Sequence, residues 1–382
     1  MNKINHIADF SSLGGVQTYL YSLKKSYPNN YSLYNLGDDV LDIYRENKVH
    51  EFKNIFSLHN FLNLKKNSIF IVHNLILSKK WIIIKFILKI RNCRIIYHEH
   101  GIAWHDPCKD RIKYKNRIEK LEKIIVNSKA TKILLESFYE IDNVIKVLSS
   151  PVCIYEELNN TYKIDVHDKD IKEPGSKIII GFIGRLEEHK NPQFLIKLAK
   201  NLRDNHKKDI EIEFIGSGTI EDNLKSKCIA DNIKATFWGR VFSRRDVVSR
   251  WDFCIVPSLR EPLGLVPGEM ALLNTITLSS KVDGLFEMYP LNCNFLLIEM
   301  KKNDFYEINH LNAKENYQYL PDKNSLEKGY SPSVNDCAKK INYLIDNEDK
   351  KDDLLLKHKN FINENFAISM HSTKLYNYIF SD

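Results

Sequence analysis

"KIIIGFIGRLEEHKNPQFLIKLAKNL", residues 177–202, carries the reading of the fold. The run Ile178 to Ile183 has no polar alternation. Both faces of such a strand must be covered, as in a parallel sheet between layers of helices. Gly184 ends the run, and Pro192 stands where a helix begins. Its fixed φ and missing N–H both suit a first turn. Apolar residues then return three and four apart at Phe194, Leu195, Leu198 and Leu202, the period of a helix packed by one face. Strand, loop and helix in this order make half of a βαβ unit.

The pattern recurs in both directions. Downstream stand "IEIEFIGSG" (210–218), "KATFWGR" (234–240) and "WDFCIVPS" (251–258). Upstream stand "NKINHIADF" (2–10), "SIFIVHN" (68–74), "CRIIYHEH" (93–100), "KIIVNS" (123–128) and "VIKVLSSPV" (144–152). Between the two sets, residues 156–177, "EELNNTYKIDVHDKDIKEPGSK", are polar and aperiodic and read as a linker. A chain of 382 residues exceeds the roughly 250–300 at which one core stops growing. Two α/β domains follow, each a doubly wound, Rossmann-like parallel sheet: residues 1–165 and 166–365, with 366–382 as a separate final segment.

Apolar residues make up 43% and charged residues 27%, the composition of an ordinary globular protein. Seven scattered cysteines form no CxxC pair, which argues against a disulfide framework or zinc ribbon and suits a reducing cytoplasm. The first residues lack the apolar run of a signal peptide, so a cytoplasmic location is expected. Charge is uneven: residues 1–150 carry 24 lysines and arginines against 14 acids, and the remainder is slightly acidic. A basic half suits a polyanionic partner or simply a solubilised surface. Without an RNA-recognition or helix-turn-helix signature, phosphates and anionic lipid rank ahead of nucleic acid. "WIIIKFILKI" (81–90) is too short to span a bilayer. It reads as a helix packed on the first sheet, with a membrane-surface role as the lesser alternative.

Four clusters at strand-to-helix junctions carry the chemistry, because ligands of open α/β sheets bind at that edge. Gly14 and Gly15 follow the first strand and can expose N–H groups to an anion. Arg185 and Lys190 lie across the loop after Gly184 and pair a planar fork of donors with a point charge, which suits a diphosphate. In "PSLREPLGLVPGEMALL" (257–273), Glu261 sits on a loop, Gly264 permits close backbone approach, and Glu269 falls in the first turn of a helix. Two separated acids beside phosphate-binding cations point to grips on sugar hydroxyls. In "IIYHEHGIAWH" (95–105), His98 and His100 lie on one side of a strand. No further zinc-ligand group is evident in the sequence, and His100 is read as a hydrogen-bonding residue.

Taken in this order, the clusters resemble the retaining glycosyltransferases of family 4, the glycosyl transferases group 1. The matching segments are Gly14-Gly15, His100-Gly101, "GRLEEHK", "PSLREPLGLVPGE" and "KVDGLFE", with "IVNSKATKILLES" and "FAISMHSTKLYNYIF" as supporting matches. The resemblance implies the GT-B fold, two Rossmann-like domains facing a central cleft. The N-terminal one would take the acceptor and the C-terminal one the nucleotide sugar, and the final helix would cross back to the first domain. It implies a hexosyltransferase that uses a nucleoside-diphosphate sugar, most often of UDP, with retained configuration and no metal or other cofactor. The expected acceptor is a saccharide, often lipid-linked, in the synthesis of lipopolysaccharide, capsule or O-antigen, with peripheral association at an anionic membrane and no nucleic acid.

Residue by residue, Glu261 would approach the donor sugar, Glu269 the ribose, Arg185 and Lys190 the diphosphate, and His100 the transferred sugar. Gly14, Gly15, Gly184 and the backbone of Leu263, Gly264, Leu265 and Val266 would complete the phosphate contacts, with Arg240 near the base. Asp283 stands where the family has glycine, and "MALLNTITLSS" replaces its usual Gly- and Pro-containing continuation, with Asn274 able to take the glycine's left-handed cap. Two other readings stay open: a nucleotide-sugar epimerase on the same fold, and a non-catalytic glycan-binding or scaffold protein.

Overall fold

The computed structural model describes residues 3–11, 14–36, 40, 53–54, 64–104, 107–154, 177–241, 244–302 and 317–380. The expected linker, apart from Lys177, lies outside them. The chain divides into two compact units, Met1–Asn159 with Phe366–Asp382, and Asn160–Asn365.

The first unit is built on a seven-stranded sheet. Its strands are β1 (Ile4–Ala8), β2 (Tyr31–Asn35), β3 (Lys53–Asn54), β4 (Ile69–His73), β5 (Arg94–Glu99), β6 (Lys123–Val126) and β7 (Ile145–Val147). They lie in the order β3-β2-β1-β4-β5-β6-β7, and every pairing is parallel. All five residues of β1 and of β4 are buried, as strands covered on both faces require. The helix Ile368–Phe380 is part of this unit, where Leu375 and Ile379 join the core of Ile4, Tyr19, Leu20 and Ile71. Polar ties include the Tyr19 hydroxyl with His371 Nε2 at 2.8 Å, Tyr31 with Ser372 at 2.7 Å, and His371 Nδ1 with the Ser149 carbonyl at 2.8 Å.

The second unit repeats the design with β8 (Ile178–Ile183), β9 (Ile210–Ile215), β10 (Lys234–Phe237), β11 (Phe253–Val256), β12 (Thr277–Ser280) and β13 (Leu297–Ile298). Their order is β10-β9-β8-β11-β12-β13, again parallel throughout. Gly181 in the middle of β8 is a packing requirement, since a Cβ there would stand 2.0 Å from the ring of the fully buried Trp251.

Both sheets reverse direction beside their first strand, between β1 and β4 and between β8 and β11. In doubly wound sheets such a switch point, at the carboxyl ends of the strands, is where ligands are held. The sequence reading misses β2, β3, β12 and β13. "YSLYN" and "TLSS" are polar by composition, and β3 and β13 are only two residues long. These strands flank a sheet already nucleated by the isoleucine-rich ones, so pairing decides their conformation more than propensity does.

Candidate functional site

In the second unit, the loops after β8 and β11 leave their strands on either side of the switch point. Gly184 has a φ of +155°, and a Cβ on Gly216 would lie 1.9 Å from the Gly184 carbonyl oxygen. A Cβ on Gly218 would lie 2.2 Å from that of Leu186. The "GSG" turn after β9 therefore packs backbone to backbone against the loop carrying Arg185, which only glycine allows. Asn191, buried in the left-handed conformation at φ 54°, closes that loop and donates through Nδ2 to the Pro257 carbonyl at 3.1 Å. The Leu259 N–H donates to the His189 carbonyl at 2.8 Å. The Lys190 ammonium completes the connection by donating to the Glu261 carboxylate.

Lys190 and Glu261, 71 residues apart in sequence, thus form one charged pair with side chains only 19% and 14% exposed. The structure does not bring Arg185 into the pair. Its guanidinium is 67% exposed and bonds to Glu187 at 2.9 Å. An exposed pair of this kind contributes about 0–1 kcal/mol, so the arginine is readily redirected.

Beneath the pair lies a residue that the sequence marks only as a departure from family pattern. Asp283 is fully buried at φ 48°, a conformation that glycine usually supplies. Its Oδ2 accepts the Glu261 N–H at 2.8 Å, and its Oδ1 accepts the Tyr319 N–H at 2.7 Å. The Gly284 N–H donates to the Glu261 carbonyl at 3.0 Å, so the Glu261 peptide is held from both ends. Burial raises the Asp283 pKa to about 7, against the opposing influence of Arg260 and the two backbone donors. Gly264, at φ 76°, passes so close that a Cβ would stand 2.6 Å from Glu261 Cγ.

Glu269 stands in the first turn of the helix Val266–Leu272, with Pro267 also in that turn, as read from the sequence. Its carboxylate accepts from Arg244 Nη1 at 2.5 Å. The sequence reading did not single out this arginine, which no motif frames. Leu263 is buried and offers only its backbone, while Leu265 and Val266 are half-buried at the helix start. Asn274 takes the left-handed cap at φ 59°, as its place in the sequence suggests. Arg240 is exposed, with Nε 3.3 Å from Ser217 Oγ on the "GSG" turn.

In the first unit, Gly14 is the N-cap of the helix Gly15–Ser26, and a Cβ on Gly15 would meet nothing within 4 Å. Close backbone packing therefore does not explain Gly15. His100 follows β5 and lies at one end of an imidazole chain. His6 Nδ1 is 2.9 Å from His73 Nε2, and His73 Nδ1 is 2.9 Å from His100 Nε2. The His98 ring lies beside that of His100, tilted by 33° with centroids 3.9 Å apart. Burial, reinforced by neighbouring histidines, lowers the pKa of His6 and of His100 to about 3 and holds His73 and His98 well below 6.5. These imidazoles are neutral near pH 7.

One ring nitrogen from each of His73, His98 and His100 lies within 4.8 Å of the others. Ligands on a tetrahedral zinc stand about 3.3 Å apart, and both His73 nitrogens already have imidazole partners, so the geometry is that of a hydrogen-bonded chain. Glu99 is a structural anchor. It accepts the Gly101 and Ala103 N–H groups at 2.5 and 3.2 Å and the Tyr97 and Tyr114 hydroxyls at 2.8 and 2.6 Å.

Residues 163–305 match the model of the family Glycosyl transferases group 1. The Staphylococcus aureus capsular polysaccharide biosynthesis glycosyltransferase CapH is 28% identical over 227 residues, which cover 57% of this chain and 61% of that protein. MJ1607 of Methanocaldococcus jannaschii, named an uncharacterized glycosyltransferase, is 24% identical over 224 residues, 56% of this chain and 55% of its own. The matched region thus spans little more than half the length of either relative. Among solved structures, Anabaena Alr3699/HepE in complex with UDP and glucose superposes with a TM-score of 0.71 at 14% identity, covering 100% of both chains. TarM superposes with a TM-score of 0.69 at 12% identity over 100% of this chain and 99% of its own. The chain has the fold of the GT-B glycosyltransferases, and the region matched by the group 1 family model includes both Lys190 and Glu261.

Proposed function

We propose that this chain transfers a hexosyl residue from a nucleoside-diphosphate sugar, with UDP as the nucleotide, to a saccharide acceptor with retention of anomeric configuration. The observation that carries the reading is the Lys190–Glu261 pair, secured at the switch point of the second sheet by ties to both neighbouring loops. When the bond from the anomeric carbon to the phosphate oxygen breaks, negative charge collects on the departing diphosphate. A fixed ammonium at Lys190, joined by Arg185 once it leaves Glu187, stabilises that charge more than it stabilises the bound donor. Glu261 accepts hydrogen bonds from donor-sugar hydroxyls, and Glu269 accepts from the ribose. On the first unit, neutral His100 is suited to hydrogen-bond a sugar hydroxyl, because its lowered pKa removes the cost of burying a charge.

The UDP complex of Anabaena Alr3699/HepE supports the choice of nucleotide, and CapH supports an acceptor in surface polysaccharide synthesis. The test is product analysis with UDP-, GDP- and ADP-sugars, with and without saccharide acceptor. Transfer from a UDP-sugar is expected, with the anomeric configuration read by NMR. Lys190→Ala should lower turnover about 10²–10³-fold, the cost of removing one preorganised charge-stabilising donor. Epimerised nucleotide sugar formed without acceptor, or wild-type turnover by the variant, would refute the reading.

A further inference from the structure

Three adjacent strands of the first sheet, β1, β4 and β5, supply one line of imidazoles. His6 lies on β1, His73 ends β4, and His100 follows β5. The line has two contacts, His6 Nδ1 to His73 Nε2 and His73 Nδ1 to His100 Nε2, each 2.9 Å long. At that distance one hydrogen stands between the nitrogens, because two lone pairs or two N–H groups would repel. All three rings are neutral near pH 7 and therefore carry one hydrogen each. Two of these hydrogens fill the contacts. The third has to sit at one end of the line, on His6 Nε2 or on His100 Nδ1. His98 does not enter the count, since neither of its ring nitrogens has a partner.

The two ends differ. His6 is fully buried, and its Nε2 has no hydrogen-bond partner. His100 is only half-buried, and its Nδ1 is open to solvent. An orphaned N–H is rarer in native interiors than an orphaned acceptor, so the third hydrogen belongs on His100 Nδ1. His6 Nδ1–H then donates to His73, and His73 Nδ1–H donates to His100 Nε2. The surroundings hold the His100 ring in this line. Its backbone N–H donates to Asn74 Oδ1 at 3.0 Å, and its carbonyl accepts from Asn127 Nδ2 at 3.2 Å. The Tyr19 ring lies beside His73 and His100, with centroids 6.2 and 5.9 Å away. Its hydroxyl is engaged elsewhere: His371 Nδ1 donates to the Ser149 carbonyl, which leaves His371 Nε2 to accept the Tyr19 O–H. We propose that His6 and His73 are positioning residues that lock His100 as a hydrogen-bond donor at Nδ1. Its partner in the substrate is then the lone pair of a sugar oxygen and not a hydroxyl hydrogen. To offer a bare Nδ1 to a proton, all three rings would have to change tautomer and strand an N–H at the closed end, so His100 is unsuited to act as a general base. The sugar oxygen rests on the transfer reaction proposed above, while the tautomer does not.

The test is nitrogen NMR of the full chain labelled with ¹⁵N-histidine near pH 7.5, without ligand. A ring nitrogen that bears hydrogen differs from a bare one in chemical shift and in its one-bond coupling. The signals of His6, His73 and His100 are assigned by their loss in His6→Gln, His73→Gln and His100→Gln. All three rings of the wild type should be protonated at Nδ1 and bare at Nε2. Kinetics supply the second measurement. His73→Leu removes the tie to His100 and should lower kcat about tenfold or more, as misplacement of a substrate contact does. UDP affinity should stay near the wild-type value, since UDP carries no transferred sugar for His100 to meet. His73→Gln should restore most of the rate, because its amide can donate to His100 Nε2 and accept from His6 Nδ1. A wild-type His100 that carries its hydrogen on Nε2 would overturn the proposal. So would wild-type kcat in a folded His73→Leu variant. Absence of transfer by the wild type would count against the proposed function alone, because the spectra need no substrate.

Discussion

Asp283→Asn is the most informative single change, because it keeps shape and removes one acceptor. The native carboxylate receives the N–H groups of Glu261 and Tyr319 on its two oxygens. Asparagine retains one oxygen and turns an NH₂ toward the other donor. One buried N–H is then unpaired and faces another donor, a cost of about 1–3 kcal/mol. The strain can be relieved if the Glu261 peptide shifts, and a displacement near 1 Å costs about 10²-fold in rate. The expected result is a fall in kcat of about that size, with UDP affinity by calorimetry unchanged, since UDP lacks the hexosyl group that Glu261 is proposed to contact. A second readout is pH. A carboxyl raised from 3.8 to about 7 stabilises the folded state fully below its unfolded pKa and loses that contribution as pH rises through 7. The wild type should therefore gain roughly 2.5 kcal/mol from this group at pH 5 relative to pH 8. The variant should lack that difference, so subtracting its urea profile from that of the wild type isolates it. A variant with kcat within threefold of wild type and an identical stability profile would refute the account.

Two further outcomes follow from the same geometry. The histidine cluster of the first unit titrates in the opposite sense. His6 and His100 have pKa values lowered to about 3 and His371 to about 4, so the unfolded chain takes up protons below pH 6.5 that the folded unit refuses. Stability should fall from pH 6.5 downward, by about 2 kcal/mol per histidine at pH 5. His98→Leu should flatten the loss at little cost near neutrality, because neither of its buried ring nitrogens has a hydrogen-bond partner. Equal urea midpoints at pH 5 and pH 7.5 would contradict this. Among the glycines, Gly216→Ala should destabilise by about 3 kcal/mol or more, its Cβ colliding with a backbone carbonyl. Gly15→Ala should instead melt at or slightly above the wild-type temperature, since its Cβ enters open space. Comparable losses from both substitutions would show that local backbone approach is not what selects glycine at 216.

The sheets were legible wherever burial on both faces forced an unbroken apolar run, as in Ile178–Ile183 and Ile69–Val72. They were illegible where a strand borrows its stability from a neighbour, as "TLSS" does between β11 and β13. The same division runs through the site. Glu261, Lys190 and Glu269 could be picked out because glycines and prolines frame them in sequence. Asn191, Arg244 and Asp283 make their contacts across 66, 25 and 36 residues, and no local spacing encodes such partners. The helix Lys80–Ile90 was legible as one packed on the first sheet, but which of its apolar residues the sheet covers was not. Composition records that Ile82 and Phe86 are apolar, whereas only packing shows that the sheet covers the other side.

Asp283 shows how a departure from pattern can strengthen what the pattern supplies. Glycine at such a position permits a positive φ and close approach, and it contributes nothing more. An aspartate there accepts a backbone strain of order 1 kcal/mol and the larger cost of a buried carboxyl. It returns two hydrogen bonds, to the N–H groups of Glu261 and Tyr319, that a glycine could not accept. The balance turns on those two donors, so Asp283→Gly, which restores the usual residue, should lower stability and turnover together despite relieving the backbone. Asp283→Ser, with one short acceptor, should fall between glycine and wild type in both measurements. If the glycine variant were the more stable and equally active, the carboxylate would be tolerated in the loop, and the hold on Glu261 would have to come from Gly284 and Lys190 alone.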